Sequence, residues 1–375
     1  MPIVKIFISI LIFFSHSSFA DMHYITKFNK KESKQITPKR HKNRGRVEIF
    51  LKDTTTKQPQ KSQEVNIGWF NLLSLNRELR SRLKDAGLSN ETINALSKHF
   101  NYHEQTKKKH SNQPEFNLTL EDYLKKIKLK EKIAYGKKYI AQNQSIFKNA
   151  TEIDILITTA LIGMETDYGR QTGSVNVVQA LYSVYVQTQQ SPVRQKFFFD
   201  NILACGKLFE AKVFDLNTKG SWSGAVGNMQ FMPTNLAEYG MLFDGKMEVF
   251  NPTVAHINAM NYLTDVGWKK NAPFLTRVRL PKDFDVKQIG IFEEPKNITD
   301  FKKMGIVANG IGKEHFKDNE LPGDLIVPDF IHADLTRPEE LNAFIIYQNA
   351  HAIYDWNRSL IFVIAVGEIY ENLKS

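Results

Sequence analysis

One run of residues constrains the fold before any other. Ile155–Met164 ("ILITTALIGM") is apolar on every side of a helix rather than along one stripe. Such a helix cannot lie on a surface; it has to be surrounded, so the chain needs a central helix with neighbours all around it. Thr151 is predicted as its N-cap, with Asp154 three positions on in capping-box spacing. The material for a wrapping is present: of 375 residues, 42% are apolar, enough for one large domain or two modest ones.

Helical spacing recurs on both sides of that run. Ile67–His99 has apolar residues at three- and four-residue steps, broken at Gly87 and restarting at Ser89 or Asn90, which predicts two helices and a turn. Helical patterns follow from Leu118 to the central run, then over Val177–Asp215 with a split near Pro192, and again from Thr234 and Pro252. Between about Arg277 and Pro328 the pattern changes. The pieces "VRLP", "IGIF" and "DLIVPDF" read as short extended segments, so a small β-containing insertion over about 277–330 is expected. An apolar helix from Asn357 to Leu373 closes the chain. The fold class expected is mainly α.

The N-terminus is of another kind. Lys5 precedes an apolar run from Ile6 to Phe14, and Ser18-Phe19-Ala20 ends it with small residues, the layout of a secretory leader cut after Ala20. That run is well short of the ~20 residues a spanning helix needs, so no membrane anchor is expected. No cysteine lies near the cut, which excludes a lipid-modified one there. Residues 21–62 then hold most of the formal net charge of +10: Lys and Arg far outnumber Asp21, Glu32, Glu48 and Asp53. A basic, aromatic-poor stretch of this sort is expected to be a disordered tail, either a plain solvated linker or a contact to anionic surfaces. It lacks the interleaved aromatics that base stacking uses, and an exported chain meets little nucleic acid, so no nucleic acid partner is expected. The main domain is expected over 63–375, exported and soluble.

The single cysteine, Cys205, lies in the apolar stretch "NILACGKLF"; it cannot form an intramolecular disulfide and reads as a small buried hydrophobe. No His-Glu-x-x-His or Cys/His metal spacing occurs, and no cofactor or metal is expected.

Glu165 ends the apolar run. Half-buried beside an aromatic ring, its carboxyl would resist ionisation, which suits a general acid that must hold a proton near neutral pH. From the residues alone, the pattern favours the plainer reading of a carboxylate that caps backbone or pairs with an arginine such as Arg170. Asp167 is the nearest second carboxylate. On a continuing helix it points about 200° away from Glu165, so no direct role is expected for it.

Four stretches in order tip that balance. "ALIGMETDYGRQTGSVNVVQAL" around Glu165 resembles the catalytic motif of the family-B lytic murein transglycosylases, in which a glutamate ends a core helix in a G-x-E-[ST]-x-[YW]-G-R context. "QPEFNLTLEDYL" (113–124) is similar to the segment before that helix. "GSWSGAVGNMQFMPTN" (220–235) resembles the family's Gly-Ser…Gly-x-x-Gln-Phe-Met-Pro groove motif, and "YDWNRSLIFVIAVGEI" (354–369) its closing Tyr-Asn-x-Ser helix. The resemblance covers about Trp69 to the C-terminus. It implies a lysozyme-like helical core with an open glycan groove, peptidoglycan glycan strands as partner, and cleavage of the MurNAc–GlcNAc β-1,4 bond without water. Glu165 would be the single acid and then base, leaving a 1,6-anhydro ring.

By motif position the resemblance implies that Ser221 and Gln230 bond the sugar or its N-acetyl group, that Phe231 and Met232 line the groove, and that Asn357 bonds at the cleavage point. Tyr123 matches a groove tyrosine by its spacing to Gly136, and Phe197 occupies a sugar-contacting tyrosine position, keeping the ring and losing the hydroxyl. Each has a plainer reading: Ser221 and Asn357 as helix caps, Phe231 and Met232 as core, Tyr123 as a surface ring. The chain departs from the family at three places. "KNATEID" replaces the usual Tyr-Gly-Val-Pro-Pro before the central helix, Trp356 replaces a tyrosine and removes one hydroxyl, and "LFDGKMEVFNP" is too short for the calcium loop of some members. Asp244, Glu248 and Asn251 there offer too few oxygens at the wrong spacing. A lysozyme-type hydrolase and a non-catalytic glycan-binding scaffold stand as alternatives.

Overall fold

The computed structural model describes residues 69–103, 106, 118–144, 154–291 and 295–374. The leader with its cut after Ala20, the basic tail and Thr151 lie outside the described residues. No described helix is long and apolar enough to cross a membrane.

The first helices follow their caps. α1 (Trp69–Asp85) stops before Gly87, and Ser89 then caps α2 (Asn90–Ser97), its Oγ accepting from the Thr92 N–H at 3.2 Å. α3 (Leu120–Lys126) is capped in the same way by Thr119, and α4 (Leu129–Gln142) follows. The central helix α5 spans Ile155–Thr166, with residues 157–163 and Thr166 buried, so the all-round apolar run is enclosed. Its cap is Asp154 rather than Thr151. The Asp154 carboxylate accepts from the Ile157 N–H at 3.4 Å and from the Trp268 indole N–H at 3.2 Å. That second, buried donor is what a reading of the local sequence lacks.

The short strand β1 (Val175–Asn176) leads into α6 (Val177–Gln187), then α7 (Pro192–Glu210), β2 (Lys219–Gly220), α8 (Pro233–Tyr239) and α9 (Pro252–Asp265). β1 and β2 pair antiparallel, Val175 opposite Gly220. Gly173 makes this possible: a Cβ there would lie 2.0 Å from the Gly220 carbonyl oxygen. Cys205 is buried in α7, where burial pushes its thiol far above the usual range, so it stays an inert packing group.

The insertion is a five-stranded antiparallel sheet in the order β4-β6-β7-β3-β5. Its members are β3 (Leu275–Arg279), β4 (Lys296–Asn297), β5 (Val307–Ala308), β6 (Pro322–Ile326) and β7 (Ala343–Ile346), with the short helix α10 (Ile298–Lys303) after β4. It has its own small core, including Val278, Phe284, Phe301 and Ile345. The sheet is wider than the expected 277–330 because the apolar tetrad of β7 takes the central place. "VRLP" and "DLIVPDF" contribute to β3 and β6. "IGIF" forms no strand over its described residues, although the Gly290 N–H donates to the Leu325 carbonyl at 2.8 Å.

The closing apolar helix expected over Asn357–Leu373 is present from Leu360, and a separate helix precedes it. α11 (Gln348–Trp356) follows β7 at once, and α12 (Leu360–Lys374) begins after a break at Asn357, whose extended backbone (φ −144°, ψ 120°) ends α11. α12 is buried over Ile361–Gly367 and lies along α5. Pinned by β7, α11 ends beside the C-terminus of α5.

Candidate active site

The C-terminal turn of α5 carries Glu165, half-buried. Beyond it the chain reverses through three consecutive residues with positive φ: Asp167 (52°), Tyr168 (61°) and Gly169 (83°). A left-handed tyrosine is costly, and the surroundings hold it there. The Tyr168 ring fits between helices α4 and α5 at two glycines, Gly136 and Gly163, and its hydroxyl donates to the Lys132 carbonyl. Lys132 Nζ in turn donates to the Gly163 carbonyl at 2.7 Å and pairs with Asp167 at 3.1 Å, satisfying the helix end with a cation.

The two carboxylates of this turn therefore have different neighbours. Asp167 lies 3.1 Å from Lys132 and 2.8 Å from Arg170, whose guanidinium also stacks over Tyr135. Partial burial pushes the Asp167 carboxyl up, but the bonds from the two cations outweigh it and hold the group below its ordinary value. Arg170 thus pairs with Asp167. Glu165 meets α11 instead: the Trp356 indole N–H donates to Glu165 Oε1 at 2.9 Å.

Trp356 is fixed by rings. Tyr262 of α9 meets it edge-on at 5.1 Å between centroids, and Phe231 lies 5.1 Å away at an interplanar angle of 43°. The Tyr262 hydroxyl donates to the Asp355 carbonyl at 2.8 Å, which ties α9 to the end of α11. Trp356 was expected only as a lost hydroxyl; the structure shows it as the donor to Glu165. Its identity as a donor-bearing aromatic was the available signal, but its partner lies 191 positions away in the chain.

The glycine-rich segment 220–232 folds around the same helix end. Thr166, next to Glu165, donates its hydroxyl to the Asn228 carbonyl at 2.9 Å. Gln230, at φ 49°, uses its side-chain amide to donate to the Gly227 and Thr172 carbonyls at 2.9 and 3.2 Å, which fixes the loop after α5 against this segment. Ser221 Oγ accepts from the Ala225 and Ser223 N–H groups and so closes its own turn. Phe231 and Met232 are buried, and Phe231 reaches the site through Trp356. Asn357 follows Trp356, and its buried Oδ1 has no hydrogen-bond partner among the described residues. Tyr123 is buried on α3, and Phe197 is half-buried on α7 with its ring edge-on to Phe198. The structure thus gathers Glu165, Trp356, Phe231, Gln230 and Asn357 about one helix end.

Away from it, Asp244 sits at φ 51° in a tight hairpin closed by Phe243 and Lys246. Glu314, His315 and Glu371 bring ligand atoms within 4.8 Å of one another, but Lys374 already donates to both Glu371 oxygens.

The transglycosylase SLT domain family matches residues 74–371. Over 157 residues the chain is 31% identical to the membrane-bound lytic murein transglycosylase B of Escherichia coli strain K12; the match covers 37% of this chain and only 42% of that protein. The fold is similar to that of SltB3 from Pseudomonas aeruginosa, solved in complex with NAG-anhNAM-pentapeptide, with a TM-score of 0.68 at 24% identity over 81% of this chain and 80% of that one. The Escherichia coli lytic transglycosylase Slt35, solved in complex with bulgecin A, gives a TM-score of 0.64 at 18% identity over 80% and 92%. At these identities the structures speak to the fold, a lysozyme-like helical body with a small sheet. Since the family match runs over nearly all of the described residues, the chain belongs to the transglycosylase SLT domain family.

Proposed function

We propose that the protein is a lytic transglycosylase that cleaves the β-1,4 bond between N-acetylmuramic acid and N-acetylglucosamine in peptidoglycan. The observation that carries this is the difference between the two acids at the end of α5. Glu165 is half-buried and accepts a hydrogen bond from a neutral indole, while Asp167 is neutralised by Lys132 and Arg170. A hydrolase of the usual kind needs a second carboxylate to activate water or to act as nucleophile. Transglycosylation needs one.

In that reaction Glu165 gives its proton to the glycosidic oxygen as the C1–O4 bond breaks. The muramyl 6-hydroxyl then attacks C1 and returns its proton to the same carboxylate, so the C1–O6 bond closes a 1,6-anhydro ring with no water consumed. Asn357 offers its buried Oδ1 to a sugar donor. Ser221, Gln230, Phe231, Met232, Tyr123 and Phe197 would complete the glycan contacts. Trp356 favours a non-catalytic scaffold only if it strips the cleft of a donor, and its indole N–H supplies one. Export by the N-terminal leader would bring the enzyme to its substrate in the periplasm, with the basic tail near anionic surfaces.

The test is the product. Peptidoglycan digested by the wild-type protein should yield 1,6-anhydromuramyl ends by mass spectrometry, and Glu165→Gln should yield none. Reducing ends would make the protein a hydrolase, and binding without turnover would make it a scaffold.

A further inference from the structure

We infer that Trp356 is a positioning residue that assigns different tasks to the two oxygens of Glu165: Oε1 is held as a permanent acceptor, and Oε2 carries the transferable proton. This rests on the proposed role of Glu165 and adds an atom to it. An indole N–H donates and cannot accept, so at 2.9 Å it bonds whichever oxygen offers a lone pair in both protonation states. In the protonated acid the carbonyl-type oxygen is the better acceptor, which places the proton on the other oxygen. A phenol at this position can donate or accept by rotating its hydroxyl, so it does not impose that choice.

The indole is also not free to move. Tyr262 and Phe231 lie against it at 5.1 Å each, and Tyr262 is bonded to the carbonyl of the preceding residue. Phe231, reached through the glycine-rich segment, thus acts on Glu165 through Trp356. A bond from a fixed donor favours the ionised carboxylate, and it is also present when the carboxylate must take back a proton from the sugar hydroxyl. Loss of the N–H alone should therefore slow turnover and move the pH at which activity fails.

Trp356→Phe keeps a ring and removes the donor; Trp356→Tyr restores a donor. Turnover on peptidoglycan should fall about tenfold to a hundredfold in Trp356→Phe, the range of a lost bond to a charged group. The alkaline limb of its pH profile should move up by about one unit, because the acid form is no longer opposed by the N–H. Trp356→Tyr, whose hydroxyl can donate but does not fix which oxygen keeps the proton, should restore the alkaline limb and only part of the turnover; full recovery of turnover would contradict the assignment of the two oxygens. In the wild-type protein, which has four tryptophans, the Trp356 indole N–H resonance, assigned by its loss in Trp356→Phe and so distinguished from that of Trp268 on Asp154, should titrate by NMR, and Glu165→Gln should abolish that titration. A Trp356→Phe protein with the wild-type alkaline limb, or a Trp356 indole that does not titrate in the wild type, overturns the inference. Neither result touches the proposed function, which fails separately if Glu165→Gln remains active or wild-type products are reducing ends.

Discussion

The turn that ends α5 has two faces, and the proposed function gives chemistry to one and support to the other. On one face Glu165 meets Trp356, behind which stand Phe231 and Tyr262: a carboxylate against a neutral donor and aromatic rings. On the other, Lys132 and Arg170 hold Asp167 ionised, and Tyr168 is wedged at Gly136 and Gly163. In the proposed reaction the first arrangement supplies the carboxyl that exchanges a proton; the second spends its carboxylate on fixing a left-handed turn. Two acids separated by one residue thus differ because the turn aims them at different neighbours.

The largest effect should come from the first face. Glu165→Gln should lower turnover by about a thousandfold or more, the scale of a lost general acid and base, while thermal unfolding stays near that of the wild type. A large stability loss in this variant would mean that Glu165 is structural and would erase the contrast.

Next comes the buried support behind the helix. His256 of α9 bonds Thr158 of α5 through Nδ1 at 2.7 Å, and burial pushes its imidazole down to about 4. The unfolded chain binds that proton near 6.5, so stability is full above this pH and declines as the pH falls toward 4, by on the order of 3 kcal/mol. Urea unfolding between pH 7 and 4 should show this decline, and it should be smaller in His256→Gln. Asp167 does not interfere in that window. Its carboxyl is held low, so its contribution is lost only as the pH falls below the ordinary aspartate range.

Gly163→Ala places a Cβ 2.7 Å from the Tyr168 ring and should cost about 2 kcal/mol by thermal unfolding, because the ring is bonded in place. Asp167→Asn should cost about 1–2 kcal/mol and reduce turnover far less than Glu165→Gln, since Lys132 and Arg170 lose a partner but Trp356 keeps its own. Equal loss of turnover in both acid variants would break the division between the faces.

The legible parts of this site were those with local periodicity or chemistry. The all-round apolar run placed α5 in the interior, and Gly87 and Ser89 marked the turn between α1 and α2. Thr151 and Asp154 both have the chemistry of a cap, and the choice fell to Asp154, which also meets Trp268 from 114 positions away. β7 is four apolar residues that no local pattern separates from a helix end, and it is central only because strands on both sides pair with it. The break at Asn357 and the bond from Trp356 to Glu165 likewise depend on where α11 is delivered by the sheet. What the sequence could not show was chosen by partners far along the chain.

The central claim is that one carboxylate serves both proton transfers and water takes no part. Digestion of peptidoglycan in ¹⁸O-labelled water measures this most directly. New muramyl ends formed by the wild-type protein are expected to be 1,6-anhydro and to contain no label. Reducing ends carrying ¹⁸O in proportion to the bonds cut would contradict it and show that an activated water completes the reaction.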